Sequence, residues 1–218
     1  MKLASGLAWA AALLGSATGV TAADSVVYQD YETGFTFSQY SAKYTLQQSM
    51  VFRTAIPSSA QQGQAYDIVI QIVAPRNVGW AGLAWGGSMT NNPLTVFWLN
   101  GQTGVVASRW ATGHTTPSTY SGATYQVFKA GTHANNTHWQ VTAKCTGCTS
   151  FSSSSGGRTT TLNPKGSNRL AFAYSSGRPS NPSSPTSSFP IHDVTNYWQQ
   201  DFSSGSNPSF DSLVAKNG

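Results

Sequence analysis

The sequence predicts an all-β fold, an antiparallel β-sandwich, and three observations support this prediction. The apolar segments are short and rich in β-branched and aromatic residues. Clusters of Gly, Pro, Asn and Ser separate these segments. No window holds a helical apolar stripe of useful length. Such a pattern is typical of two packed sheets, with at most a short helical turn added.

The predicted strands follow one another along most of the chain. The strongest is the run AYDIVIQIVA at 65–74, which Pro75 ends because proline cannot donate to a strand ladder. Asn100-Gly101 is a hairpin-turn signal between two further runs. The complete set of predicted strands is 26–28, 35–40, 65–74, 80–85, 94–99, 105–110, 125–128, 138–143 and 170–174.

The first residues predict a secretory signal peptide at 1–23. Lys2 precedes a mostly apolar run at 3–14, and the segment 20–23 offers small residues for cleavage. This run is too short to span a membrane permanently. We therefore expect one secreted, extracellular domain over residues 24–218, which is an ordinary size for a domain with a substantial core.

The distribution of charged and apolar residues limits the classes of partner that can be expected. Twelve basic and seven acidic residues give a net charge of +5, but the basic residues are scattered singly. A nucleic-acid site needs a clustered basic stripe, so no nucleic-acid partner is expected. No segment after the leader approaches the length of a membrane span. The expected product is a monomer that does not associate with membranes.

The two cysteines, Cys145 and Cys148, lie in the segment CTGC. In an oxidising compartment the plain interpretation is a small disulfide loop, in which Gly147 eases the turn. Covalent haem attachment requires a histidine directly after the second cysteine, and Thr149 stands there. A zinc site requires further ligands, and a thioredoxin-type pair requires a βαβ pattern that this sequence lacks.

The run GWAGLAWGGSM at 79–89 combines an apolar strand with a glycine pair and a methionine. Strands carry this much glycine where something bulky lies against the backbone. Gly86 and Gly87 permit a sharp turn, and Met89 follows at its tip. A thioether in that position suits a haem iron, which then needs a second axial ligand. A methionine that fills a gap in the core is the alternative.

His192 is the best candidate for the second ligand. It follows the Ser- and Pro-rich segment 175–190, which predicts a long loop, and its neighbours Phe189, Ile191 and Val194 are apolar. We therefore expect this loop to deliver His192 to the site occupied by Met89. A hydrogen-bonded core histidine is the alternative.

The remaining histidines have other expected roles. His114 stands at a turn and is expected to hydrogen-bond an anionic group of the ligand. His133 and His138 flank the glycosylation sequon at Asn135 and are expected in solvated positions. Met50 lies in a run typical of ordinary strand packing.

The sequence lacks the characteristic motifs of several enzyme classes. The sequence contains no GxSxG elbow and no glycine-rich phosphate loop that follows a strand and opens a helix. A two-carboxylate glycosidase site is disfavoured because Glu32 is the only glutamate and the aspartates are dispersed. We therefore assign no catalytic residue, and whether the protein is an enzyme stays open.

Four motifs occur in one order along the chain: GLAWGGSMTNN at 82–92, RWATG at 109–113, THW at 137–139 leading to CTGC at 145–148, and SSFPIH at 187–192. Together they resemble the cytochrome domain of fungal cellobiose dehydrogenases. The resemblance implies an immunoglobulin-like β-sandwich of the DOMON (iron reductase) type that holds one haem b. It also implies that Cys145 and Cys148 form the disulfide of that family.

The resemblance further implies that Met89 and His192 are the axial ligands of haem b. His114 stands where the family usually has a tyrosine beside a haem propionate. The implied function is one-electron transfer from a flavin-dependent sugar dehydrogenase to a copper polysaccharide monooxygenase or to ferric iron. No dehydrogenase domain is present in this sequence, so we expect no sugar oxidation by this chain itself. A haem-free carbohydrate-binding module of the DOMON type is the alternative.

Overall fold

Two sheets, antiparallel in all but one strand pair, form the framework of the residues that the computed structural model describes, which are 23–152 and 157–218. The predicted signal peptide falls almost wholly on residues 1–22, outside the described part of the chain. The two sheets share one large cluster of buried apolar side chains, contributed by strands of both layers. The predicted β-sandwich is thereby confirmed.

The first sheet has eight strands and the second has six, while a separate hairpin pairs β12 (Ser150–Ser152) with β13 (Thr159–Thr161). The eight-stranded sheet contains β1 (Val26–Gln29), β2 (Thr36–Lys43), β3 (Ser49–Pro57), β4 (Ile68–Pro75), β9 (Thr124–Val127), β10 (His133–Ala134), β11 (His138–Thr146) and β16 (Ser206–Asn207). The six-stranded sheet contains β5 (Trp80–Ala84), β6 (Pro93–Asn100), β7 (Thr103–Trp110), β8 (Ser118–Thr119), β14 (Ser167–Ser175) and β15 (Val194–Asp201).

The order of strands in the six-stranded sheet is β15-β14-β5-β6-β7-β8. Strand β5 therefore lies in the middle, between its sequence neighbour β6 and the distant strand β14. All pairs in this sheet are antiparallel. In the eight-stranded sheet, the short strand β16 pairs in parallel with β3.

Two long strands, β3 and β15, were absent from the predicted set, as were the short strands β8, β10, β12, β13 and β16. Strand β3 was interpreted only as strand-like packing around Met50, and its alternating burial agrees with that interpretation. Strand β15 was missed because its sequence, VTNYWQQD, is largely polar. This composition suits an edge strand, of which one side remains exposed.

Alternation along β5 and β14 separates the two faces of the six-stranded sheet. Leu83 and Phe172 point into the shared core of the sandwich, where Trp198 of β15 stacks on Tyr40 at 4.5 Å between ring centroids. The residues that alternate with them point away from the core, and several of these are glycine or alanine. The outer face of this sheet is therefore lined by small side chains, which leave space above it.

A short helix covers the other outer face. Helix α1 (Phe210–Asn217) packs Phe210 against Phe35 and so closes the outer side of the eight-stranded sheet. It follows a single 3₁₀ turn at Phe202–Gly205. Among the described residues, no helix has the length and apolar character needed to cross a membrane.

The predicted disulfide between Cys145 and Cys148 is confirmed. The two Cα atoms lie 5.9 Å apart, and both side chains are fully buried. Gly147 has a φ of +92°, and a Cβ atom there would lie 2.0 Å from the carbonyl oxygen of Gly122. Only glycine fits this turn without displacing the backbone.

Candidate cofactor site

A cavity of about 920 Å³ opens on the outer face of the six-stranded sheet. Its volume lies within the range of cofactor sites. Met89, His114 and His192, the three residues predicted to contact the ligand, all line it. The structure thus brings together three residues that are distant in the sequence.

The floor of the cavity is made of small side chains from two paired strands. Gly82 lies opposite Ala173, and Ala84 lies opposite Ala171 in the register of β5 and β14. A Cβ atom on Gly82 would lie 3.2 Å from Cζ3 of Trp80 and 3.7 Å from the Cβ of Ala173. The low floor therefore depends on the absence of a larger side chain at Gly82.

The two predicted ligands enter this cavity from opposite ends of β5. Met89 lies in the connection that follows Ala84, whereas His192 lies in the connection that follows Ser175, the partner of Trp80. Five residues of extended chain span about 13 Å between their terminal Cα atoms. A flat group that stands between these ends can therefore be contacted on both of its faces.

Each glycine in the connection before Met89 has a structural reason. Gly87 has a φ of +72°, and a Cβ atom there would lie 2.7 Å from Cγ of Arg169. A Cβ atom on Gly86 would lie 2.8 Å from the Cβ of Asn92. The sharp turn predicted from this glycine pair is present, and it leaves Met89 half-buried at the cavity.

The connection that carries His192 is held by aromatic side chains of the sheet. Trp80 donates from Nε1 to the carbonyl oxygen of Pro190 at 3.1 Å, and its ring lies 4.9 Å from that of Phe189. Trp98 donates from Nε1 to the carbonyl oxygen of Pro182 at 2.8 Å. The long predicted loop is therefore anchored at both its middle and its end.

A buried cation supports the same connection. Arg109 is 4% exposed and donates to the carbonyl oxygen of Pro185 at 2.9 Å and to that of Ser187. Its guanidinium group also lies 5.3 Å from the ring centroid of Phe189, a distance typical of a cation–π contact. Burial lowers the pKa of Arg109, because a charged group loses hydration there.

Asp193 fixes the residue next to His192. Its backbone N–H donates to the carbonyl oxygen of Tyr174 at 2.7 Å. Its carboxylate accepts from the backbone N–H of Ser176 at 2.8 Å and from the Ser176 hydroxyl at 3.0 Å. The backbone donor of Ser176 lowers the pKa of Asp193 because it stabilises the ionised form. The start of β15 is thereby tied to the end of β14.

The other predicted polar residues lie apart from each other. His114 is exposed and lines the cavity on the side of Met89, since its turn follows β7. His133 contacts Glu32 at 3.1 Å, and His138 contacts the hydroxyl of Thr137 at 3.0 Å. Across the described ranges, no group of three or more His, Cys, Asp or Glu residues could hold a metal ion.

Two residues outside the cavity, Met50 and Asn135, have the burial and the exposure that the sequence predicts for them. Met50 is fully buried in the core of the sandwich. Asn135 is exposed at the sequon, and its side-chain oxygen accepts from the backbone N–H groups of Thr137 and His138 at 2.9 and 2.8 Å. Glycosylation of Asn135 stays a prediction.

The donor set and the walls of the cavity fit a haem. A thioether and an imidazole are a known pair of axial haem ligands. The floor and walls between them are apolar, with Trp80, Leu94 and Val96 all less than a tenth exposed. Sequence reasoning missed the supporting roles of Trp80 and Arg109, because each acts through a contact that only the folded chain creates.

Comparison with known proteins identifies the family of the chain. The family model described as the cytochrome domain of cellobiose dehydrogenase matches residues 28–212. A pyrroloquinoline quinone-dependent pyranose dehydrogenase from Coprinopsis cinerea is 35% identical over 191 residues, which are 86% of this chain and 25% of that protein. The chain thus spans about a quarter of the length of this curated relative.

Two solved structures have a similar fold. The cytochrome b domain of pyranose dehydrogenase from Coprinopsis cinerea superposes with a TM-score of 0.75 at 28% identity, covering 88% of this chain and 94% of that one. The cytochrome domain of Myriococcum thermophilum cellobiose dehydrogenase superposes with a TM-score of 0.80 at 23% identity, covering 90% and 98%. The chain belongs to the family of cytochrome domains of cellobiose dehydrogenase.

Proposed function

We propose that this chain is a secreted b-type cytochrome that holds haem b between Met89 and His192 and carries single electrons. Haem b as the cofactor follows from membership of a cytochrome family. One observation carries the assignment of the ligands. Met89 and His192 line the same cavity from opposite ends of β5, above a floor of glycine and alanine.

The residues of the cavity favour electron transfer over catalysis. If Met89 and His192 both hold the haem iron, a substrate would find no free position at the metal. Haem b supplies a one-electron couple when bound, and a thioether ligand raises its reduction potential relative to a second imidazole. The apolar walls formed by Trp80, Leu94 and Val96 exclude water and tune the potential further.

The contacts that hold the segments around Met89 and His192 favour repeated electron transfer. Trp80 and Asp193 hold the segment around His192, and the glycine turn holds the segment around Met89. Because these contacts are made within the protein and none involves the cofactor, they would hold both connections in the same way in either oxidation state. A small change in geometry between the two states favours fast transfer.

The electron donor that we propose is a sugar dehydrogenase. Membership of a family of dehydrogenase-linked cytochrome domains supports a dehydrogenase partner. A flavin enzyme of the cellobiose dehydrogenase type is one candidate, and the similarity to a pyrroloquinoline quinone-dependent enzyme adds a second. The proposed acceptors are a copper polysaccharide monooxygenase and ferric iron. The positive net charge favours encounter with acidic partners, in a salt-dependent manner.

An optical experiment tests the ligands. The purified holoprotein is expected to show a low-spin spectrum with a sharp α-band on reduction with dithionite. Met89→Ala and His192→Ala are each expected to remove this low-spin signature. Met50→Leu is the control, because it conserves the volume of a buried methionine outside the cavity. Low-spin six-coordinate spectra in both alanine variants would refute the assignment.

Stopped-flow mixing tests the direction of electron flow. A flavin and a quinone sugar dehydrogenase, each reduced by its own sugar, are mixed with the oxidised cytochrome, and the α-band is followed. We expect reduction by at least one of them and reoxidation by a copper monooxygenase or by ferric iron. The alternative of a haem-free sugar-binding module predicts a colourless protein that neither dehydrogenase reduces.

A further inference from the structure

Asn92 is the centre of the connection that carries Met89. Its side chain is 2% exposed and forms three hydrogen bonds. Its Oδ1 accepts from the backbone N–H of Gly86 at 2.8 Å, and its Nδ2 donates to the carbonyl oxygens of Ser88 and Thr90 at 2.8 and 2.9 Å. Ser88 and Thr90 are the chain neighbours of Met89, so Asn92 holds the backbone on both sides of it.

The conformation of the connection agrees with this role. Asn91 has a φ of +61°, a left-handed conformation that non-glycine residues rarely adopt, and its N–H donates to the carbonyl oxygen of Ala111 at 2.8 Å. Gly86 is needed because any side chain there would collide with Asn92. The connection is thus folded around a buried asparagine, and none of these contacts uses the cofactor.

The side chain of Met89 has little else to hold it. It is half-buried and packs against a small apolar cluster that contains Ala84, Leu94 and Ala111. A thioether is a weak, neutral donor, so a bond to it cannot by itself order a loop of this length. A ligand on a disordered loop would lose affinity to the ordering of that loop, whereas a preset loop avoids this loss.

We propose that Asn92 is a positioning residue that presets Met89 as an axial ligand and so keeps the sixth coordination position closed. This inference rests on the proposed function, since it assumes Met89 as a ligand. Each neutral hydrogen bond contributes about 1 kcal/mol net. The loss of three corresponds to about 100-fold in the equilibrium between bound and released Met89.

The experiment compares Asn92→Ala with Asn207→Ala. Asn207 is a matched control because it is 4% exposed and also forms three hydrogen bonds, but in the eight-stranded sheet. It accepts from the N–H of Thr36 at 2.9 Å and donates to the carbonyl oxygens of Thr36 and Gly205 at 2.8 Å each. The readouts are the affinity of the dithionite-reduced holoprotein for carbon monoxide and the urea midpoint of unfolding.

We expect the carbon monoxide affinity of Asn92→Ala to rise by about 100-fold above wild type, towards that of Met89→Ala. Both variants should lower the urea midpoint by a similar amount, because each loses three buried hydrogen bonds. Asn207→Ala should leave carbon monoxide binding unchanged. If Asn92→Ala does not fold, Asn92→Ser is the second variant, because its single hydroxyl donor loses at least one of the two donated bonds, for an expected rise of at least about fivefold.

Two results would overturn the proposal. One is an affinity within about threefold of wild type in the folded Asn92 variant, and the other is an equal rise in Asn207→Ala. Failure of the proposed function gives a different pattern, in which wild type already binds carbon monoxide as tightly as Met89→Ala. In that case Met89 is not a ligand, and the role of Asn92 is refuted together with it.

Discussion

The floor of the cavity gives the most direct test of where the cofactor lies. Gly82 faces the cavity between Trp80 and Ala173, in the middle of the sheet. A larger side chain there must extend into the space that we assign to haem b. Gly82→Ala and Gly82→Leu therefore form a graded series at one position, in which only the volume of the side chain changes.

The structure sets the expected size of each effect. In Gly82→Ala, the new Cβ atom lies 3.2 Å from the ring of Trp80, which must yield by a few tenths of an ångström. Replacing glycine within a strand offsets this strain by roughly 0.5–1 kcal/mol, so stability and haem affinity should change little. Leucine adds three more carbon atoms that must share the cavity with the macrocycle. Overpacking costs about 3 kcal/mol or more here, which is about 100-fold in affinity.

The assay has two parts, and both use the apoprotein. Titration with haemin measures affinity, and urea unfolding measures the stability of the protein without cofactor. We expect Gly82→Leu to bind haemin at least about 100-fold more weakly, while its apoprotein is no less stable than wild type. Wild-type affinity and an unchanged low-spin spectrum in the leucine variant would refute a cofactor placed above Gly82.

Two further predictions concern the support of the site and the core. Trp80→Phe keeps an aromatic ring against Phe189 but loses the hydrogen bond to Pro190, so the free energy of unfolding, measured in urea, should fall by about 1 kcal/mol; an unchanged value would show that water replaces this donor. Burial raises the pKa of Tyr66 and of Tyr125 in the folded protein, so the unfolded chain loses these protons first. Stability should therefore be unaffected by these groups below about pH 10 and fall above it, by up to about 1.4 kcal/mol per pH unit for each tyrosine. Urea titrations between neutral and alkaline pH test this, and Tyr66→Phe should reduce the slope.

The parts of the fold that sequence reasoning found are those in which local pattern and tertiary environment agree. The run before Pro75 is apolar and β-branched, and it became β4, which is buried in the middle of its sheet. The turn at Asn100-Gly101 joins β6 to β7, with Gly101 at a φ of +65°. Strand β15 was not predicted because its exposed side is polar and it pairs with only one neighbouring strand.

The candidate site was predictable only in part, for a related reason. Methionine after a glycine pair and histidine after a long loop are signals that a single sequence contains. The floor is not such a signal, because Gly82 and Ala173 become neighbours only through the pairing of β5 with β14. Likewise, nothing in the pattern distinguishes Asn92, which is buried with three hydrogen bonds, from the exposed Asn91 beside it.

The topology of the sheet explains why two connections so distant in sequence can serve one site. Strand β14 runs antiparallel to β5, so the connection that leaves β14 emerges where β5 begins, beside Trp80. The connection that leaves β5 emerges at the other end, beside Ala84. Side chains carried by these two connections can therefore approach one cavity from opposite ends of β5, above the outer face of the sheet. The small residues on that face then decide whether a flat cofactor fits between them, so we expect a large side chain at Gly82 to block the site that we propose Met89 and His192 complete.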